Sequence, residues 1–145
     1  MREILFRGKG KYDGIWKYGS LERFMPDRLD LANYFILSET AAPNATSVIP
    51  ETVGQFTGLT DRNGKKIFEG DIVKTHYANA PKSDFIETVV FHNGKFCAFH
   101  ENNGCKQWAI LYDGTPHLRI DKSVYMDSVE VIGNIHDNPE LLKGD

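Results

Sequence analysis

Four groups of residues have types and spacings that invite chemistry. Gly58 with Gly64-Lys65-Lys66 is the first, and its chemistry would be phosphate binding. A phosphate loop needs four residues between its glycines and Ser or Thr after its lysine. Here five residues intervene and Lys66 follows Lys65. The segment also reads as a β turn, not as a helix start where aligned N–H groups would meet phosphate. The second group, His92, Cys97, His100 and Cys105, has the residue types that zinc takes. On a regular strand Cys97 and Phe99 face one way while Phe96 and His100 face the other. The paired CxxC form is missing, so no metal is expected, and a buried thiol and an exposed imidazole are. The third group is Glu69 and Asp71, two residues apart and on one side of an extended backbone, as a general acid/base pair would be. The structural reading is favoured, in which Asp71 binds turn amides beside Gly70. The fourth group is Arg2, Arg7, Lys9, Lys11, Trp16, Lys17 and Tyr18, which mixes cations with rings as single-strand nucleic-acid platforms do. No nucleophile elbow, HExxH helix or dinucleotide fingerprint is present. Neither an enzyme nor a cofactor is expected.

The bulk properties narrow the classes further. A chain of 145 residues with 41% hydrophobic content can bury a core without staples. No apolar run approaches the ~20 residues of a membrane helix. Residues 1–20 are charged throughout, so no signal peptide is expected and the protein is placed in the cytoplasm. Cys97 and Cys105 suit that compartment as free thiols. The net charge of −3 is mild but uneven. Arg2, Arg7, Lys9, Lys11 and Lys17 outnumber Glu3 and Asp13 near the start. Asp127, Glu130, Asp137, Glu140 and Asp145 outnumber Lys143 near the end. Ends of opposite sign would attract head to tail between copies, although exposed pairs are each worth only ~0–1 kcal/mol. The acidic total and the missing basic run weigh against nucleic acid.

The elements that must position these groups are short strands. Residues 51–74, ETVGQFTGLTDRNGKKIFEGDIVK, read as two β segments around an Asp-Arg-Asn-Gly turn, followed by Gly70-Asp71 and an apolar strand. Before it, residues 2–7 and 15–24 form a hairpin through Asp13-Gly14. Pro26 breaks the pattern, a strand is expected at 34–38, and 39–47 read as a loop. After it come strands at 72–77, 85–91, 96–100 and 107–112, with turns at Asn93-Gly94, Asn103-Gly104 and residues 113–116. A helical turn is expected at 123–128 and a last strand at 129–135, in which Val129, Val131 and Gly133 share a face. Asn138 and Pro139 suit the start of a short terminal helix. Ile72, Phe96 and Val131 are expected to share one interior. Turn signals about every ten residues indicate an all-β barrel or sandwich.

Four ordered blocks carry a resemblance. They are MREILFRGKG with GIWKYGSL, the 51–74 segment, VVFHNGKF, and VEVIGNIHDNPELL. Together they resemble the YopX family of phage and prophage proteins. The resemblance implies a phage-encoded, mainly β protein that assembles with itself, and it supplies no catalytic residues. The expected fold is an SH3-like β-barrel over residues 51–145 ending in a short helix, preceded by a small N-terminal β-hairpin region, residues 1–50. The expected role is a homo-oligomeric interaction protein of the bacterial cytoplasm. The interaction surface is placed on Arg7, Lys9, Trp16, Tyr18, Glu69 and Asp71. A single-stranded DNA- or RNA-binding small barrel is the alternative.

Overall fold

The structure, a computed structural model, describes residues 1–24, 33–38, 44–77, 84–111 and 126–143. The Pro26 break, the turn at 113–116 and residues 123–125 of the expected helical turn lie outside the described residues; the rest of that turn, Met126 to Ser128, is instead strand, held by pairing with Tyr77 and His76. The first part of the loop expected at 39–47 also lies outside the described residues. The described residues are mainly β, and the chain divides into two compact units, Met1–Gly58 and Leu59–Asp145.

In the first unit, β1 (Phe6–Lys9) and β2 (Trp16–Phe24) form the hairpin, closed by the turn at Asp13-Gly14. Asp13 fixes that turn by accepting from Ile15 N at 2.9 Å. Next come β3 (Asn33–Ser38), β4 (Asn44–Val48) and a 3-10 turn at Pro50–Thr52, and then β5 (Gly54–Thr60) returns to pair with β1. All these pairings are antiparallel. The strand at 44–48 corrects the loop expected there. Asn44 and Ala45 at its start have weak strand preference, and the ladder with β3 supplies what propensity does not. Val48 closes the unit by bridging to Gly10, and Ile36, Val48 and Phe56 are buried.

The second unit begins as β5 runs past Gly58 into the turn at 61–65 and β6 (Lys66–Phe68). A five-stranded antiparallel sheet follows, built from β7 (Asp71–Tyr77), β8 (Phe85–His92), β9 (Lys95–Asn102), β10 (Cys105–Ile110) and β11 (Met126–Asn134). Its order is β10-β9-β8-β7-β11, a four-strand meander with the last strand brought back beside the first. The sheet is open, with β10 and β11 at its edges. The two Asn-Gly turns hold Asn93 at φ 50° and Asn103 at φ 51°, the left-handed geometry that two-residue hairpins require.

One face of this sheet carries the core of Val73, Tyr77, Val89, Ala98 and Val129, joined by Ile67, Leu111 and Met126. Phe96 and Val131 pack against it as expected. Ile72 is buried but lies on the other face of β7 from Val73, outside that cluster. The terminal segment forms a 3-10 turn, Pro139–Leu142, where a short helix was expected. Asn138 does not cap it, because its Oδ1 turns back to accept from Asn134 N at 3.3 Å. No helix among the described residues is long and apolar enough to cross a membrane.

Candidate functional site: the outer edge of the five-stranded sheet

The residues singled out by sequence are divided between the two units. Arg7 is buried, with its guanidinium 4.7 Å from the centre of the Trp16 ring. Lys9 reaches the same ring at 5.9 Å, so cations of the chain itself attend Trp16. Tyr18 is exposed on the same strand. In the second unit Asp71 is buried and its Oδ2 accepts from Phe68 N at 2.8 Å, which is the turn-binding role. Glu69 beside it is half-buried. Burial removes Arg7 and Asp71 from any interaction surface. The remaining four are divided between the units, with Lys9, Trp16 and Tyr18 in the first and Glu69 in the second.

A further exposed feature of the second unit lies along β10. Trp108 is 41% exposed and Ile110 48%, and Cys105, Lys106 and Gln107 are exposed as well. By strand alternation Lys106, Trp108 and Ile110 stand on the face opposite the core. Trp108 lies parallel to the His92 ring at 4.2 Å and tilted against Phe99 at 5.4 Å. Cys97, on the same face, is nevertheless buried, and burial pushes its thiol up against the smaller opposing pull of Lys95. Cys105 is exposed, and both cysteines are free. The ladder explains this, since Cys105 pairs with Asn102 and Cys97 with Ile110, at opposite ends of β10.

On the core face, β7, β8 and β9 bring together a polar cluster. The fully buried Glu87 carboxylate accepts from the Thr75 hydroxyl at 2.6 Å and, more weakly, from the Tyr77 hydroxyl at 3.4 Å. Its other oxygen lies 2.8 Å from His100 Nδ1. Phe85 stacks on the His100 ring with centroids 5.2 Å apart. Each carboxylate oxygen therefore has a partner, which a buried charge requires. The expected exposed imidazole is instead half-buried against Glu87. No group of three or more His, Cys, Asp or Glu among the described residues is arranged to hold a metal ion.

The sequence matches the family described as YopX protein over residues 5–143, nearly its whole length. The chain belongs to the YopX family. A crystal structure of protein EF1440 from Enterococcus faecalis is 25% identical, with 98% of this chain and 99% of that one covered, at a TM-score of 0.44. No curated protein matches.

Of the blocks that carry the YopX resemblance, VVFHNGKF supplies Val89 of the core and His92 of the aromatic stack. Glu87, His100 and Trp108 fall outside every block, and sequence reading missed them as a group. One signal was available for Glu87. It alternates with Val89 on one face of a strand, so an apolar face there carries a carboxylate that must find partners. For β10 the sequence offered no comparable signal, because which edge stays uncovered is set by the other strands.

Proposed function

We propose that this YopX family chain is a non-catalytic interaction protein that works by self-assembly. The observation that carries this reading is the β10 edge, where Trp108 and Ile110 are exposed on a strand that takes no outer-side hydrogen bond among the described residues. Edges of this kind are templates for pairing with another chain. The five-strand order, with the last strand returning to the first, supports reading the second unit as an SH3-like arrangement left open at β10. Nucleic-acid binding at the N-terminal hairpin is disfavoured by the Arg7 guanidinium already seated over Trp16.

Sedimentation velocity across the micromolar range tests the reading, with a mass above the monomer expected. A single monomer boundary at every concentration overturns it. An electrophoretic shift of single-stranded DNA that weakens steeply with salt would put nucleic acid in its place.

A further inference from the structure

The chain treats the two edges of its five-stranded sheet differently. Along β11, Arg62 N donates to Val129 O at 2.9 Å and Val131 N donates to Asp61 Oδ2 at 3.0 Å. β11 also shifts register twice, between Met126 and Ser128 and between Val131 and Gly133. In the first unit the edge of β4 is occupied too, by Lys11 N on Ser47 O and the Gly10–Val48 bridge. Covering and bulging are the means by which sheets blunt their edges. β10 has neither. It runs in unbroken register with β9 from Cys105 to Ile110, contains no proline, and takes no hydrogen bond on its outer side among the described residues.

The hairpin fixes which groups point outward. Cys105 pairs with Asn102 across the two-residue turn Asn103-Gly104, so that pair is hydrogen-bonded and every second pair after it is too. Cys105, Gln107 and Ala109 thus spend their main-chain groups on β9. Those of Lys106, Trp108 and Ile110 point away from it. A strand laid antiparallel along this edge satisfies all of them when its own outward residues number the same and run in reverse. β10 itself meets that condition, with residue 108 opposite 108 and 106 opposite 110.

We propose, resting on the self-assembly reading above, that two copies pair β10 to β10 about a twofold axis at Trp108. The two sheets become one, with two main-chain hydrogen bonds at each of the three facing pairs. The apolar stem of Lys106 lies beside Ile110 of the second copy, and no two like charges face each other. This register also covers the exposed Trp108 and Ile110 side chains from both copies.

Charge placed at the facing positions tests the register, with sedimentation equilibrium as the readout and circular dichroism to check folding. Trp108→Lys and Trp108→Glu are each expected to lower association about tenfold or more, because residue 108 meets its own copy. Mixed in equal amounts they re-form a dimer, and salt weakens it. Trp108 also touches His92 and Phe99, so a second pair of variants uses the more exposed Ile110. Ile110→Lys, set opposite Lys106, weakens the dimer roughly tenfold, and Ile110→Glu keeps or tightens it. Wild-type assembly that all four variants leave unchanged overturns the β10 pairing and leaves self-assembly standing on another surface. The same holds if the lysine and glutamate variants at 108 do not complement. A wild-type monomer throughout overturns both readings.

Discussion

At the scale of single residues, Asp61 shows how one carboxylate sets a turn. Its Oδ1 accepts from Asn63 N and Lys65 N, both at 2.9 Å, and its Oδ2 accepts from Val131 N at 3.0 Å. Burial pushes its pKa up, but those amides, with help from the Lys65 charge, outweigh burial and hold it below the ordinary carboxylate value. Asp61→Ala leaves the three donors without their acceptor and should cost about 2–4 kcal/mol in urea unfolding. Because the folded value is depressed, Asp61 contributes its stability fully above the unfolded value. That contribution is lost as pH falls through the folded value, below about pH 4. Wild-type stability should therefore fall over this acid range more steeply than that of Asp61→Ala; parallel curves would refute the assignment. Glu87 gives a second case. Glu87→Ala strands His100 Nδ1 and the Thr75 hydroxyl and should cost about 3–5 kcal/mol, against about 1–2 for Glu87→Gln, which keeps an acceptor. Thiol titration of the native protein should find Cys105 alone reactive, with Cys97 appearing only in denaturant.

At the scale of elements, legibility tracked how local the determining interaction was. The hairpins at Asn93-Gly94 and Asn103-Gly104 were readable because their turns need the positive φ that Asn and Gly accept. β7, β8 and β9 were readable from alternation. β4 was not, because its pairing with β3 comes from outside its own sequence. The terminal turn was misread because Asn138 has two uses for its side chain, and the nearby Asn134 amide takes it. Of the residues put forward as an interaction surface, Asp71 was correctly weighed as a turn residue. Arg7 was taken as a surface cation, although a guanidinium can be buried against a ring. An open edge such as that of β10 depends on what the rest of the chain leaves uncovered, which no local pattern records. β2 and β3 offer a test at this scale. A methyl group added at Gly19 would fall on the Leu37 carbonyl oxygen of the paired strand. Gly19→Ala should therefore push β2 from β3 and cost several kcal/mol, roughly 2–4 by analogy with other overpacked sites. A melting temperature equal to wild type would mean the two strands can separate freely at that point.

At the scale of the whole molecule, self-assembly couples stability to concentration. Anything that binds the folded chain and not the unfolded one stabilises it by mass action. If two copies associate through folded β10, each tenfold rise in concentration above the dissociation constant adds about 0.7 kcal/mol per chain, half of the ~1.4 kcal/mol per decade. For a chain of this length that corresponds to a rise of roughly 2–3 °C in melting temperature per decade. The slope should vanish in Ile110→Lys at concentrations where that variant is monomeric, while its melting temperature extrapolated to low concentration stays near the wild-type value. A uniform drop in melting temperature with the slope intact would instead mean that Ile110 supports the fold of its own chain and has no part in joining two. The intercept reports what holds one copy together and the slope what joins two, so one series of melts separates the two roles.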